Sequence, residues 1–108
     1  MKRGELWTAA GGKHYSGKPR PVLIVQDDRF DATASVIVCP LTSDPSDIPL
    51  LRVGIEPDTV NGLGVPSRVM IDKITTLPRS KLGEHIGRVS DSDMVALSRR
   101  LFVFLGLA

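Results

Sequence analysis

Short apolar runs separated by turn-forming residues make up the first 89 positions. Pro21-Val22-Leu23-Ile24-Val25 and Ser35-Val36-Ile37-Val38-Cys39 are continuous and rich in β-branched side chains, as strands buried on both faces should be. Residues 4–8 read as an earlier strand, and 50–53, 67–71 and 73–77 as weaker ones. Eight prolines cut the chain into pieces too short for long helices. After residue 89 the period changes. Ser90-Asp91-Ser92-Asp93 has the capping-box pattern, with Ser90 as N-cap and Asp93 at the third helical position. Met94, Leu97, Leu101, Phe104 and Leu105 recur at helical spacing, and Gly106 is placed to stop the helix. Arg99 and Arg100 fall in its later half, where positive charge suits the helix dipole. The pattern predicts a mainly β chain, a strongly curved small sheet closed by one C-terminal α-helix.

Length and composition narrow the setting. A chain of 108 residues fits one domain spanning 1–108. No apolar run approaches the roughly 20 residues of a membrane span, and the N-terminus carries no signal-peptide stretch, so a cytoplasmic location is expected. The single cysteine, Cys39, cannot form an intramolecular disulfide and reads as a buried strand thiol. Two histidines and one cysteine at scattered positions make a poor metal site; no metal and no cofactor are expected. Charge is uneven. Residues 1–20 hold Lys2, Arg3, Lys13, Lys18 and Arg20 against Glu5 alone, which suits a polyanionic partner.

The two best strands suggest where chemistry could sit. Sequential strands joined by a short connection pair antiparallel as a rule. Centring the hairpin on Asp31 makes paired residue numbers sum to about 62, which sets Arg20 opposite Thr42. The segment Ala10-Gly11-Gly12-Lys13-His14-Tyr15-Ser16-Gly17-Lys18 reads as a glycine-rich binding loop ending at the same rim. Three polar elements would converge there: the Arg20 guanidinium, the hydroxyls of Thr42 and Ser43, and a loop carrying Lys13, His14 and Lys18. Pro19 and Pro21 stiffen the backbone on either side of Arg20. A rigid stem under a planar, five-donor head favours bidentate capture of phosphate.

In order, Arg3-Gly4-Glu5-Leu6-Trp7, Gly17-Lys18-Pro19-Arg20-Pro21-Val22-Leu23-Ile24-Val25 and Val38-Cys39-Pro40-Leu41-Thr42-Ser43 strongly resemble the MazF/PemK toxins. Ser67-Arg68-Val69-Met70-Ile71-Asp72-Lys73-Ile74 is similar to a further family segment, although Lys73 stands where glutamine is common. Lys81-Leu82-Gly83 and Ile86-Gly87-Arg88-Val89 resemble the closing strand, and Ala9-Ala10-Gly11-Gly12 lacks the Asp-Pro that many members carry. The resemblance implies an SH3-like small barrel of the CcdB/MazF/PemK type and a homodimer. It also implies a toxin that cleaves single-stranded RNA without metal and is neutralised by a cognate antitoxin. The family's catalytic arginine and threonine fall on Arg20 and Thr42. Lys13, His14, Lys18 and Ser43 are expected to bind RNA, and His14 is poised to carry protons.

Other residues have simpler readings. Trp7 is expected in the core of a chain with few aromatics, Asp72 at a turn, and Phe102 and Phe104 packing the helix on the barrel or across a dimer. The alternative on the same fold is a CcdB-like, non-enzymatic gyrase poison. That activity resembles one dependent on a C-terminal tryptophan, which Phe104-Leu105-Gly106-Leu107-Ala108 lacks.

Overall fold

The computed structural model describes residues 1–10, 19–45 and 48–108. Seven antiparallel strands, β1 (Glu5–Ala9), β2 (Arg20–Ile24), β3 (Ser35–Thr42), β4 (Arg52–Ile55), β5 (Ser67–Met70), β6 (Thr75–Pro78) and β7 (Leu82–Arg88), precede one helix, α1 (Asp91–Phe104). They form a single sheet in the order β4-β5-β3-β2-β1-β7, and β6 pairs with β3 off this path. The fold is mainly β with a C-terminal helix, as the apolar pattern predicts.

β3 organises the sheet. Its first half pairs with β6, from Ser35↔Pro78 to Val38↔Thr75, and its last residues pair with β5, Leu41↔Val69 and Thr42↔Arg68. Pro40, which has no N–H to donate, falls at the changeover between these two partners. Strand alternation gives the sheet two apolar faces. One is the main core of Leu6, Leu23, Cys39, Leu41, Val53, Ile55, Val69 and Ile71, which the helix covers with Leu97 and Leu101. The other carries Ala9, Val22, Ile24, Val36, Val38 and Leu82, with Trp7 and Leu77 packed beside them. Each fully buried leucine contributes about 2 kcal/mol of hydrophobic stabilisation.

The helix ends follow the sequence pattern. The Ser90 hydroxyl accepts from Asp93 N–H at 3.2 Å. At the other end Gly106 N–H donates to Val103 O (3.1 Å) and Leu107 N–H to Phe102 O (2.8 Å), a Schellman motif with Gly106 at φ +76°.

Several expected boundaries move. The apolar pair Leu50-Leu51 belongs to a 3-10 turn, Pro49–Leu51, and the strand begins only at Arg52. Proline at the first turn position favours that start, and Leu50 is 76% exposed, so its apolarity carries no burial signal. The strand expected at 67–71 ends at Met70. A turn at Ile71–Lys73 follows, and β6 begins at Thr75 rather than at residue 73. Asp72 accepts from Arg52 Nη1 in a largely buried ion pair that ties this turn to β4, in keeping with a turn role. The last turn of α1 holds no basic residue. Arg100 instead donates through Nη1 to the carbonyls of Pro49 and Leu50, both at 2.9 Å, and pins the 3-10 turn to the helix. Phe102 and Phe104 are 54% and 42% exposed, so of their two expected places the barrel core is not the one they take in the single chain. Leu97 and Leu101 take that role.

Candidate active site

β2 and β3 pair as Val22↔Pro40, Leu23↔Cys39 and Ile24↔Val38. Each pair sums to 62, the register read from the two apolar runs. Carried two residues further, it sets Arg20, the first residue of β2, against Thr42, the last of β3. Neighbouring pairings complete a row. Arg20 lies opposite Ala9, Ala9 opposite Leu82, Thr42 opposite Arg68, and Arg68 opposite Gly54. One transverse row thus crosses β7, β1, β2, β3, β5 and β4.

Alternation decides which way this row faces. Directly paired residues of antiparallel strands project to the same side. Ala9 and Leu82 belong to the apolar cluster away from the helix. Val53, Ile55, Leu41 and Val69, which flank Gly54, Thr42 and Arg68 along their strands, all point into the helix-covered core. Arg20, Thr42 and Arg68 therefore share the outer face. Arg20 is exposed, and Thr42 and Arg68 are half-buried.

Chemically the row is a donor surface. Thr42 Oγ1 accepts from Asp44 N–H at 3.1 Å, a local turn that uses the oxygen's lone pair and leaves its own proton to donate. Ser43 follows Thr42 immediately and is exposed. Lys81, also exposed, stands beside the row, its carbonyl accepting from Ala10 N–H at 3.0 Å. The arrangement suits an anion whose negative charge is spread over several oxygens.

Lys13, His14 and Lys18, the remaining expected RNA contacts, lie outside the described residues. So does the glycine-rich stretch 11–18. Among the described residues no group of three or more His, Cys, Asp or Glu side chains is placed to hold a metal ion. Cys39 is completely buried, and burial pushes its thiol up to about 12, with Asp72 adding in the same direction and Arg3 opposing. It is a packing residue.

The next row on the same face holds Trp7. Its Nε1–H donates to Glu5 Oε1 at 3.0 Å, and its ring leans on His85 with centroids 5.3 Å apart at 39°. Trp7 is half-buried against the outer apolar cluster, so the core reading holds for one side of its ring. Sequence reasoning missed two residues of this face, Arg68 and His85. Arg68 carries a signal only once β3 and β5 are paired. His85 becomes visible only once β7 lies beside β1.

Residues 2–105 match the model of the PemK-like, MazF-like toxins of type II toxin–antitoxin systems. The chain belongs to that family. It is 57% identical over 108 residues to a probable endoribonuclease MazF of Mycolicibacterium smegmatis, covering all of this chain and 99% of that one. Among solved structures it is similar to a mycobacterial endoribonuclease in complex with its cognate antitoxin. The TM-score is 0.79 at 29% identity, with 100% of this chain and 97% of that one covered. It is also similar to the Mycobacterium tuberculosis toxin MazF-mt6, with a TM-score of 0.80 at 28% identity over 96% and 98% of the two chains. These similarities favour the MazF/PemK reading over the gyrase-poison alternative.

Proposed function

We propose that this toxin is an endoribonuclease that cleaves single-stranded RNA by a metal-independent route, with Arg20 and Thr42 as its catalytic pair. The observation that carries the reading is the register, which sets a guanidinium and a hydroxyl donor side by side on one face of the sheet. In the reaction the RNA 2′-oxygen attacks the adjacent phosphorus and gives up its proton. The bond from phosphorus to the 5′-oxygen breaks, and that oxygen gains a proton. The products are a 2′,3′-cyclic phosphate and a 5′-hydroxyl. Negative charge gathers on the non-bridging oxygens in the transition state. Arg20 and Thr42 donate hydrogen bonds to those oxygens, a contribution of about 3–4 kcal/mol for one well-placed donor.

An arginine rarely deprotonates, so another group moves the protons. His14 is the side chain assigned to this step, and Lys13, Lys18 and Ser43 hold the RNA backbone. Replacing His14 with alanine should flatten one limb of the pH–rate profile. The toxin acts as a homodimer in the cytoplasm, where its substrate is, and a cognate antitoxin neutralises it. Phe102, Val103 and Phe104, exposed on α1, supply apolar area for the second copy.

The test is direct. Purified protein is incubated with a mixed-sequence single-stranded RNA in EDTA, and the new ends are mapped. Cleavage leaving cyclic phosphates, reduced about 10³-fold in Arg20→Ala, supports the assignment. Full activity in Arg20→Ala removes it.

A further inference from the structure

We infer that Arg68 is a second anion-binding arginine, holding an RNA phosphate neighbouring the one held by Arg20 and Thr42; the inference rests on the nuclease reading above. Arg68 is the cross-strand partner of Thr42, directly paired in β5, and shares its outer face. Arg20 and Arg68 therefore flank the threonine on either side. Their backbones stand two strand spacings apart, roughly 10 Å. Two guanidiniums on long stems at that separation reach successive phosphates of one strand.

Three features make Arg68 more than a solvated charge. Its Nη1 donates to the Pro45 carbonyl at 2.6 Å, which fixes the plane of the guanidinium and leaves its other N–H groups for an anion. Among the described residues no carboxylate pairs with it. On its far side the partner residue is Gly54, and no neighbouring atom lies within 4 Å of the place a Cβ would take there. A bulky side chain at 54 would crowd this end of the row, whereas glycine leaves it open.

The loop from β4 to β5 secures the placement. Buried Asn61 accepts through Oδ1 from Asp58 N–H (3.1 Å) and Leu63 N–H (3.0 Å) and donates through Nδ2 to Glu56 O (2.8 Å). Gly62 follows at φ +68°, where a Cβ would sit 2.4 Å from Ile86 O. The loop is thus held in one form, and β5 enters the sheet in the register that sets Arg68 beside Thr42. The RNA backbone then runs along the row, across the strands.

A phosphate contact shows itself in salt dependence. Each phosphate neutralised on a single strand adds about 0.7 to the slope of log affinity against log salt. The experiment uses the full chain. Binding of a 2′-O-methyl RNA oligonucleotide, which cannot be cleaved, is measured across salt concentrations for wild type, Arg68→Gln and Arg68→Lys. Cleavage of the matching unmodified RNA is measured in parallel, with circular dichroism melts to establish folding. The glutamine variant should lose about 0.7 of the slope and raise KM about tenfold, with kcat within about twofold, the pattern of a lost uniform-binding contact. The lysine variant should keep the slope. A glutamine variant with the wild-type slope, or a loss confined to kcat, overturns the role of Arg68 alone. A wild-type protein that leaves RNA intact removes the nuclease reading itself, and this inference with it.

Discussion

The hairpin of β2 and β3 is built differently at its two ends. At the turn end, side chains are cross-linked. Gln26 donates to Phe30 O (2.7 Å) and Thr33 Oγ1 (3.0 Å) and accepts from Ile37 N–H (3.2 Å). Asp27 holds Arg29 through backbone and side chain at 2.8 and 3.1 Å. Arg79, in the turn just after β6, donates to Thr33 O at 2.5 Å, and Asp28 accepts from Arg3 N–H at 2.7 Å. At the opposite end stand Arg20, Thr42 and Arg68, with donors facing outward. The turn end is laced together across the hairpin, whereas at the other end Thr42 and Arg68 bond to the segment that leaves β3. The cross-linked end fixes the register; the other end uses it.

The two threonines test this division most sharply. Thr42→Val should lower kcat by about 10²–10³ through loss of one donor to the transition state. Thr33→Val, at the turn end, should leave kcat within about twofold while lowering the melting temperature. Equal effects on cleavage would erase the contrast. Arg79→Ala should cost about 1 kcal/mol in urea unfolding, because the Thr33 carbonyl loses its side-chain donor. Its cleavage rate below the unfolding range should match wild type.

The smallest effect is pH-dependent. Burial alone would raise the Glu5 carboxyl. Hydrogen bonds from Lys2 N–H and Trp7, together with the N-terminal ammonium and His85, outweigh it and hold the group below its usual value of 4.5. A carboxylate lowered in the folded state stabilises above its unfolded pKa, and that stabilisation is lost as pH falls through the folded value. Glu5→Gln should therefore cost about 1 kcal/mol at pH 7. The difference from wild type should vanish in acid, as followed by chemical unfolding at a series of pH values. A gap that persists at low pH would assign the effect to packing.

The turn-end hairpin was legible in the sequence for a physical reason. Two continuous β-branched runs with one short connection leave little freedom of register, and the pairing at 62 follows. The helix was equally legible, because Ser90 and Gly106 supply local hydrogen bonds that depend on no distant residue. The start of β4 was not, since Leu50 is apolar yet exposed beside Pro49. Half of the row was hidden for another reason. Arg68 reads locally as an ordinary charge in a weak strand. Its meaning comes from pairing with Thr42 across 26 positions, which no local pattern encodes.

The roof over the main core follows all seven strands in the chain. Leu97 and Leu101 complete a cluster whose other members come from residues 6 to 89. On the ribosome, a chain lacking that stretch has every donor of its outer face already synthesised, with Leu23, Val69 and Ile71 still wet on one side. Without that cover the sheet cannot meet the entropic cost of holding distant strands in line. A fragment that stops before α1 should therefore carry the donor row yet fail to hold its strands in register.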